Sequence, residues 1–285
     1  MRVSAFGFLL LLVSFAPAAA KAETLLERGD YLVNTVAACG NCHTPIDEQG
    51  RPIPGQELAG RFVIELPEFT AYAPNITPDK ETGIGGWSEA EIATAIREGR
   101  RPDGSLVGPP MPIELYRGMS DRDVAAIAAY VRSRPAVRNP VPKTVYRIPL
   151  PASYGPPVGT VPDIDPANTL AYGAYLAGPV GHCVECHTPM IAGRFDYENQ
   201  LGAGGREFEG PWGVTVSANL TSHEADGIKR YSDAEVIQMI TTGTRPDGTA
   251  MLPPMGYPYY AKIKPEDLKA IVAYLRSLPP KTHPE

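Results

Sequence analysis

Cys39-Gly40-Asn41-Cys42-His43 and Cys183-Val184-Glu185-Cys186-His187 contain every cysteine of the 285-residue chain. Cysteines three positions apart lie close to one turn apart on a helix, and the following histidine stands beside the second of them. Both thiols can then add to the vinyl groups of one haem while the imidazole meets its iron as proximal ligand. Cys39, Cys42, Cys183 and Cys186 are accordingly read as haem thioether positions, and His43 and His187 as axial iron ligands. A four-cysteine zinc ribbon would leave unexplained the histidine after each pair. A thioredoxin-like redox pair would need a preceding strand, where the pattern here predicts a helix.

The second motif follows the first by 183 − 39 = 144 residues, and the offset extends far beyond the cysteines. Gly29, Tyr31 and Leu32 match Gly173, Tyr175 and Leu176; Asn75 and Thr77 match Asn219 and Thr221; Ser88 matches Ser232, and Tyr130 matches Tyr274. Arg101-Pro102-Asp103-Gly104 returns as Arg245-Pro246-Asp247-Gly248. Two copies of one unit are the simplest explanation. Between them, residues 135–166 hold nine prolines, a composition that favours extended, semi-rigid chain. The expected division is a signal peptide at 1–22, a first haem domain at 23–134, a proline-rich linker at 135–166 and a second haem domain at 167–285.

A sixth iron ligand must come from elsewhere in each copy. Of the methionines after Met1, only Met111 and Met255 are 144 residues apart, and each follows two prolines. A proline-led loop can hold a thioether against iron without help from regular structure. Met111 and Met255 are therefore the expected axial partners of His43 and His187, a pairing that raises the reduction potential. Met251 competes by proximity, but its counterpart is Val107; Met239 fits core filling. His182 and His223 are remote alternatives for the second haem. Asn75 with Asn219, Trp87 with Tyr231, and Arg101 with Arg245 either reach haem propionates or line the pocket edge, or satisfy backbone groups.

The helix pattern repeats with the motifs. A first helix is expected from about Leu25 to Ala38 and from about Thr169 to Val180. A middle helix starts in a capping box at Ser88 and Glu91, matched by Ser232 and Glu235. A last helix follows Ser120, and its twin opens on Pro265. Gly29 with Tyr130, and Gly173 with Tyr274, mark a close crossing of first and last helices. Period-two alternation is absent from any convincing run, so the fold is expected to be all-α, with at most a short extended piece from Arg61 to Leu66.

The N-terminus has a basic Arg2, an apolar run from Phe8 to Val13 and small residues Ala18 to Ala20, as an export signal does. No later segment approaches the roughly 18 apolar residues of a membrane span, so the mature chain is expected to be soluble and periplasmic. The formal charge of −6 argues against nucleic acid or anionic lipid as partner.

With these residues placed, each copy resembles a class I cytochrome c domain. Asn75-Ile76-Thr77-Pro78-Asp79, followed by Gly83-Ile84-Gly85 and Trp87-Ser88, is most similar to the haem subunits of bacterial periplasmic dehydrogenases that oxidise alcohols, sugars, sugar acids or aldehydes. The resemblance implies two covalently bound haem c groups and a protein that transfers electrons rather than catalysing a reaction. Its donor would be the catalytic subunit of a periplasmic dehydrogenase, and its acceptor a respiratory oxidase or another cytochrome. The third haem domain and C-terminal membrane-binding segment usual in the alcohol dehydrogenase subunits are not read in this sequence. The competing class is a dihaem redox enzyme of peroxidase or thiosulfate-oxidising type, which would want an open sixth site rather than two paired methionines.

Overall fold

The computed structural model describes residues 22–283, so the signal-peptide reading of residues 1–22 lies outside the described residues except for Ala22. Each copy is built on one helix crossing. In the first, α1 (Leu25–Asn34) lies across α5 (Asp121–Arg132); in the second, α6 (Thr169–Tyr175) lies across α10 (Pro265–Ser277). Glycine lets the helices meet: a Cβ on Gly29 would stand 2.1 Å from the Ala126 carbonyl oxygen, and one on Gly173 2.0 Å from that of Ala270. Leu32, Val33, Ala128, Leu176 and Val272 are buried around these crossings.

The middle helices α3 (Glu89–Glu98) and α8 (Asp233–Thr242) start as the sequence predicts. Ser88 and Glu91 cap each other's amides, as do Ser232 and Glu235. Both helices end on a left-handed glycine, Gly99 at φ 63° and Gly243 at φ 65°. α1 stops four residues short of the expected end. In the second copy the helix does continue to Val180, but as a π turn from Leu176 that accommodates Pro179 and its missing N–H.

The all-α expectation is overturned. Three small antiparallel sheets occur among the described residues: β1 (Arg61–Leu66), β2 (Phe69–Ala73) and β3 (Val145–Tyr146); β4 (Met190–Ile191) and β5 (Arg194–Phe195); β6 (Glu207–Gly210) and β7 (Gly213–Val216). The extended piece expected at Arg61 to Leu66 is β1. Its alternation is masked because the pairing shifts between Phe62 and Ile64. β2 alternates in burial, but Tyr72 occupies a less buried position, so its sequence reads as an almost unbroken apolar run. The other strands are too short to show a period.

Residues 135–166 lie along the first copy. The Val137 carbonyl accepts from Asn75, β3 extends the first sheet, the Tyr154 hydroxyl donates to the Val107 carbonyl, and the Val161 carbonyl accepts from the Asp121 amide. The copies also pack directly on each other. The Tyr31 hydroxyl donates to Asp267 at 2.5 Å and the Tyr175 hydroxyl to Asp123 at 2.7 Å. The same hydroxyls accept from the Lys264 and Ser120 amides at 3.2 and 3.1 Å. Tyr31 and Tyr175, Asp123 and Asp267, and Ser120 and Lys264 are all related by the repeat offset, and such reciprocity marks a two-fold interface. A cavity of about 450 Å³, lined by Arg28, Asp123, Tyr172, Tyr175 and Asp267 among others, sits at this seam rather than at the cysteine motifs.

Candidate functional site

Each motif starts from a left-handed residue that is not glycine: Ala38 at φ 46° and His182 at φ 41°. The chain leaves the first helix there and makes one helical turn, α2 (Cys39–His43) or α7 (Cys183–Cys186), which brings each cysteine pair together. All four cysteines are half-buried, and none is in a disulfide. Burial pushes Cys39 and Cys186 up to about 12 and Cys183 up to about 11, and raises Cys42 as well.

The histidines are fixed by one device used twice. His43 Nδ1 lies 2.8 Å from the Pro74 carbonyl oxygen, and His187 Nδ1 lies 2.6 Å from that of Ala218. An Nδ1–H donated to a carbonyl leaves Nε2 with its lone pair available to a metal. Burial lowers both imidazole pKa values and keeps the rings neutral, as ligation requires.

Asn75 and Asn219 belong to the scaffold behind these carbonyls. Asn75 donates to the Val137 carbonyl at 2.7 Å and accepts from Thr77; Asn219 donates to the Lys281 carbonyl at 2.6 Å and accepts from Thr221. Arg101 and Arg245 close their own turns on the Leu106 and Ala250 carbonyls. Trp87 and Tyr231 are half-buried against the core, and their carbonyls accept from Arg132 and Arg276.

Met111 and Met255 are half-buried in proline-led loops whose Pro109–Pro110 and Pro253–Pro254 bonds are both cis. Each loop leads into a single turn, α4 (Ile113–Tyr116) or α9 (Tyr257–Tyr260). Tyr116 and Tyr260 lie in the neighbourhood of both motifs, and the Met255 loop touches the motif of the first copy: Asn41 donates to the Pro254 carbonyl at 3.3 Å, and a Cβ on Gly40 would stand 2.5 Å from the Tyr259 hydroxyl. Burial raises both phenols well above the ordinary tyrosine value. Met119 and Met239 pack in the core, and Met190 is exposed on β4. His182 meets the Tyr116 ring edge-on at 5.9 Å, while His223 Nδ1 accepts from the Asp226 amide and closes its own turn.

Sequence reasoning missed Arg61 and Arg206. Arg61 donates to the Asn41 carbonyl at 2.7 Å and Arg206 to the Glu185 carbonyl at 3.0 Å, the same carbonyl of each motif. They escaped the repeat comparison because they are one residue out of register. Glu185 was also unremarked: burial lifts its carboxyl to about 7.

The cytochrome c family model matches residues 26–135 and again 171–279, each match enclosing one motif and one methionine loop. The chain belongs to the cytochrome c family. This cytochrome is 33% identical over 271 residues to the fructose dehydrogenase cytochrome subunit of Gluconobacter japonicus, covering 90% of this chain and 53% of that one. It is 32% identical over 293 residues to the cytochrome c subunit of the quinone alcohol dehydrogenase of Gluconobacter oxydans, covering 95% and 58%. A dihaem cytochrome c-type protein of Cereibacter sphaeroides is 29% identical over 253 residues, with 85% and 82% covered. The cytochrome thus spans little more than half the length of the dehydrogenase subunits it matches.

Family membership implies covalently bound haem c and an electron-transfer rather than a catalytic role, and the residues fit such a group. The buried Arg61 Nε, near Cys42, and the buried Tyr197 hydroxyl, near Cys186, have no hydrogen-bond partner among the described residues. Both are donors that a haem's carboxylates or ordered water beside it would satisfy.

Proposed function

We propose that the protein is an exported dihaem c-type cytochrome that takes electrons from a periplasmic dehydrogenase and passes them to the respiratory chain. In this reading Cys39 and Cys42 hold one haem and Cys183 and Cys186 the other, with iron ligands His43 and Met111 in the first copy and His187 and Met255 in the second. The observation that carries it is the duplicated histidine geometry, an Nδ1 committed to a backbone carbonyl beside each cysteine pair. Haem, when bound, supplies a one-electron couple. The chain's own residues orient the imidazoles, exclude water from their rings and hold the methionine loops in place. The dehydrogenase partner is supported by relatives named as cytochrome subunits of fructose, alcohol and gluconate dehydrogenases.

The test is a pyridine haemochrome count joined to the near-infrared sulfur-to-ferric-iron band. Two haems per chain are expected, with the band at an intensity for two sites. Met255→Leu should halve that band and Met251→Leu should leave it whole. A high-spin ferric spectrum in the unmodified protein, or loss of the band in Met251→Leu alone, would overturn the ligand assignment.

A further inference from the structure

The second copy leaves bare an edge that the linker covers in the first. There Val145 and Tyr146 pair with Thr70 and Phe69 as an outer strand. Thr144 Oγ1 accepts from the Tyr72 amide and donates to the Tyr72 carbonyl, each at 3.0 Å. The Arg147 amide donates to the Glu68 carbonyl, and its guanidinium donates to the carbonyls of Leu66 and Pro67. The Tyr146 hydroxyl accepts from the Gly108 amide, tying this strand to the loop that leads to Met111.

The hairpin of β6 and β7 repeats the covered one. Phe208 with Thr215, Glu209 with Val214 and Gly210 with Gly213 reproduce, at the 144-residue offset, Ile64 with Ala71, Glu65 with Thr70 and Leu66 with Phe69. Yet β7 has no outer strand among the described residues. Val214 and Val216 are 56% and 54% exposed, where the matching Thr70 and Tyr72 are half-buried. Leu252, which matches Gly108, is 43% exposed. An open, β-branched edge is a template for pairing with another chain.

We propose that the outer edge of β7 is a strand-addition site that takes an extended, basic segment of the dehydrogenase partner and so docks it beside the Met255 loop. The first copy shows what such an occupant looks like: Lys143 to Leu150, an extended run with β-branched and aromatic residues and an arginine. Glu207 and Glu209, both exposed on β6, favour positive charge in the occupant. The identity of the partner rests on the function proposed above; the ability of the edge to accept a strand does not.

The probe is the peptide Lys-Thr-Val-Tyr-Arg-Ile-Pro-Leu, residues 143–150, added to the intact haem-loaded chain while amide hydrogen exchange is read residue by residue. Expected is a saturable slowing of exchange confined to Gly213–Val216, absent from a Val214→Lys/Val216→Lys variant that keeps both haem spectra. No slowing at millimolar peptide, or slowing that persists in the lysine variant, overturns the site. Protection of this edge in the protein alone, growing with its concentration, overturns the assignment by giving the edge to a second copy. In a second arm the reduced dehydrogenase is the electron donor. A several-fold rise in KM with kcat and both haem potentials unchanged in the lysine variant is expected, whereas an unchanged KM alongside intact peptide binding in the unmodified chain would overturn the choice of partner. A failure of the haem-ligand reading shows in the spectra and is separate from either arm.

Discussion

Asp123 accepts three hydrogen bonds: from Arg28 Nε and Nη2, each at 2.7 Å, and from the Tyr175 hydroxyl. In the sequence Arg28 is one charge on the polar side of a short helix. In the fold it is buried, with its side chain 8% exposed and that of Asp123 3%. Burial alone would lower the Arg28 pKa, but the bonds and charge of Asp123 outweigh it and raise the value. A buried ion pair adds little over an apolar pair of the same shape, yet losing one partner strands the other. Asp123→Ala should therefore cost about 3–5 kcal/mol, read as a fall in the urea midpoint followed by haem absorbance. Arg28→Met/Asp123→Leu should recover most of it, and a double variant as unstable as the single one would contradict the argument. The histidines were legible because their chemistry is written locally, next to the cysteines. Their carbonyl partners Pro74 and Ala218 lie 31 residues on, and only the fold brings them back.

Among elements, the middle helices were the most legible because their starts are chemical signals rather than averages. Ser88 accepts from the Glu91 amide at 3.2 Å and Ser232 from the Glu235 amide at 3.3 Å. Ser88→Ala and Ser232→Ala should each cost about 1 kcal/mol, with nearly additive effects because the two caps belong to separate copies. Chemical denaturation of the single and double variants checks both points, and marked non-additivity would show that the helices are coupled through the seam. The Ser88 and Glu91 pair made the start of this element readable, while its end on Gly99, eleven residues after Ser88, was not read from the sequence. The strands lacked any such signal. β1 hides its period behind a register shift, β2 behind Tyr72, and β3 inside a proline-rich stretch whose composition says only that it is extended. β3 becomes a strand because β2 offers it an edge, a fact of tertiary structure that no local pattern contains. At the site, the motifs, the histidines that the fold fixes on backbone carbonyls and the two methionine loops could be located from spacing alone. Arg61, Arg206 and the half-buried Glu185 could not, since nothing in a sequence says which charged side chain the fold will turn inward.

For the molecule as a whole, the repeat implied two copies, and the proline-rich linker implied that they are held at a limited set of separations by its stiffness or by its lying along their surfaces. The packing sets the separation more directly, through Tyr31 on Asp267 and Tyr175 on Asp123. The two contacts share a geometry but not an environment. Asp123 keeps Arg28 when Tyr175 is removed, whereas Asp267 is buried and has Tyr31 as its hydrogen-bond donor, with Tyr172 where the first copy has Arg28. Burial raises the Asp267 pKa, and the Tyr31 hydroxyl bond, followed by the charges of Arg28 and Lys264, acts in the opposite sense by favouring the carboxylate. Tyr31→Phe should thus cost more than Tyr175→Phe, about 1.5–3 kcal/mol at neutral pH for a bond to a charged acceptor. A carboxyl whose folded pKa is raised weakens the fold as pH climbs from its unfolded pKa through its folded one, and removing Tyr31 raises that pKa further. The deficit of Tyr31→Phe should therefore be largest at neutral pH and shrink as acid protonates Asp267, while Tyr175→Phe leaves Asp123 its two bonds from Arg28. Urea unfolding of both variants across acid to neutral pH measures the two deficits. Equal deficits that run parallel with pH would mean that the two-fold seam is energetically symmetric and that Arg28 does not distinguish its halves.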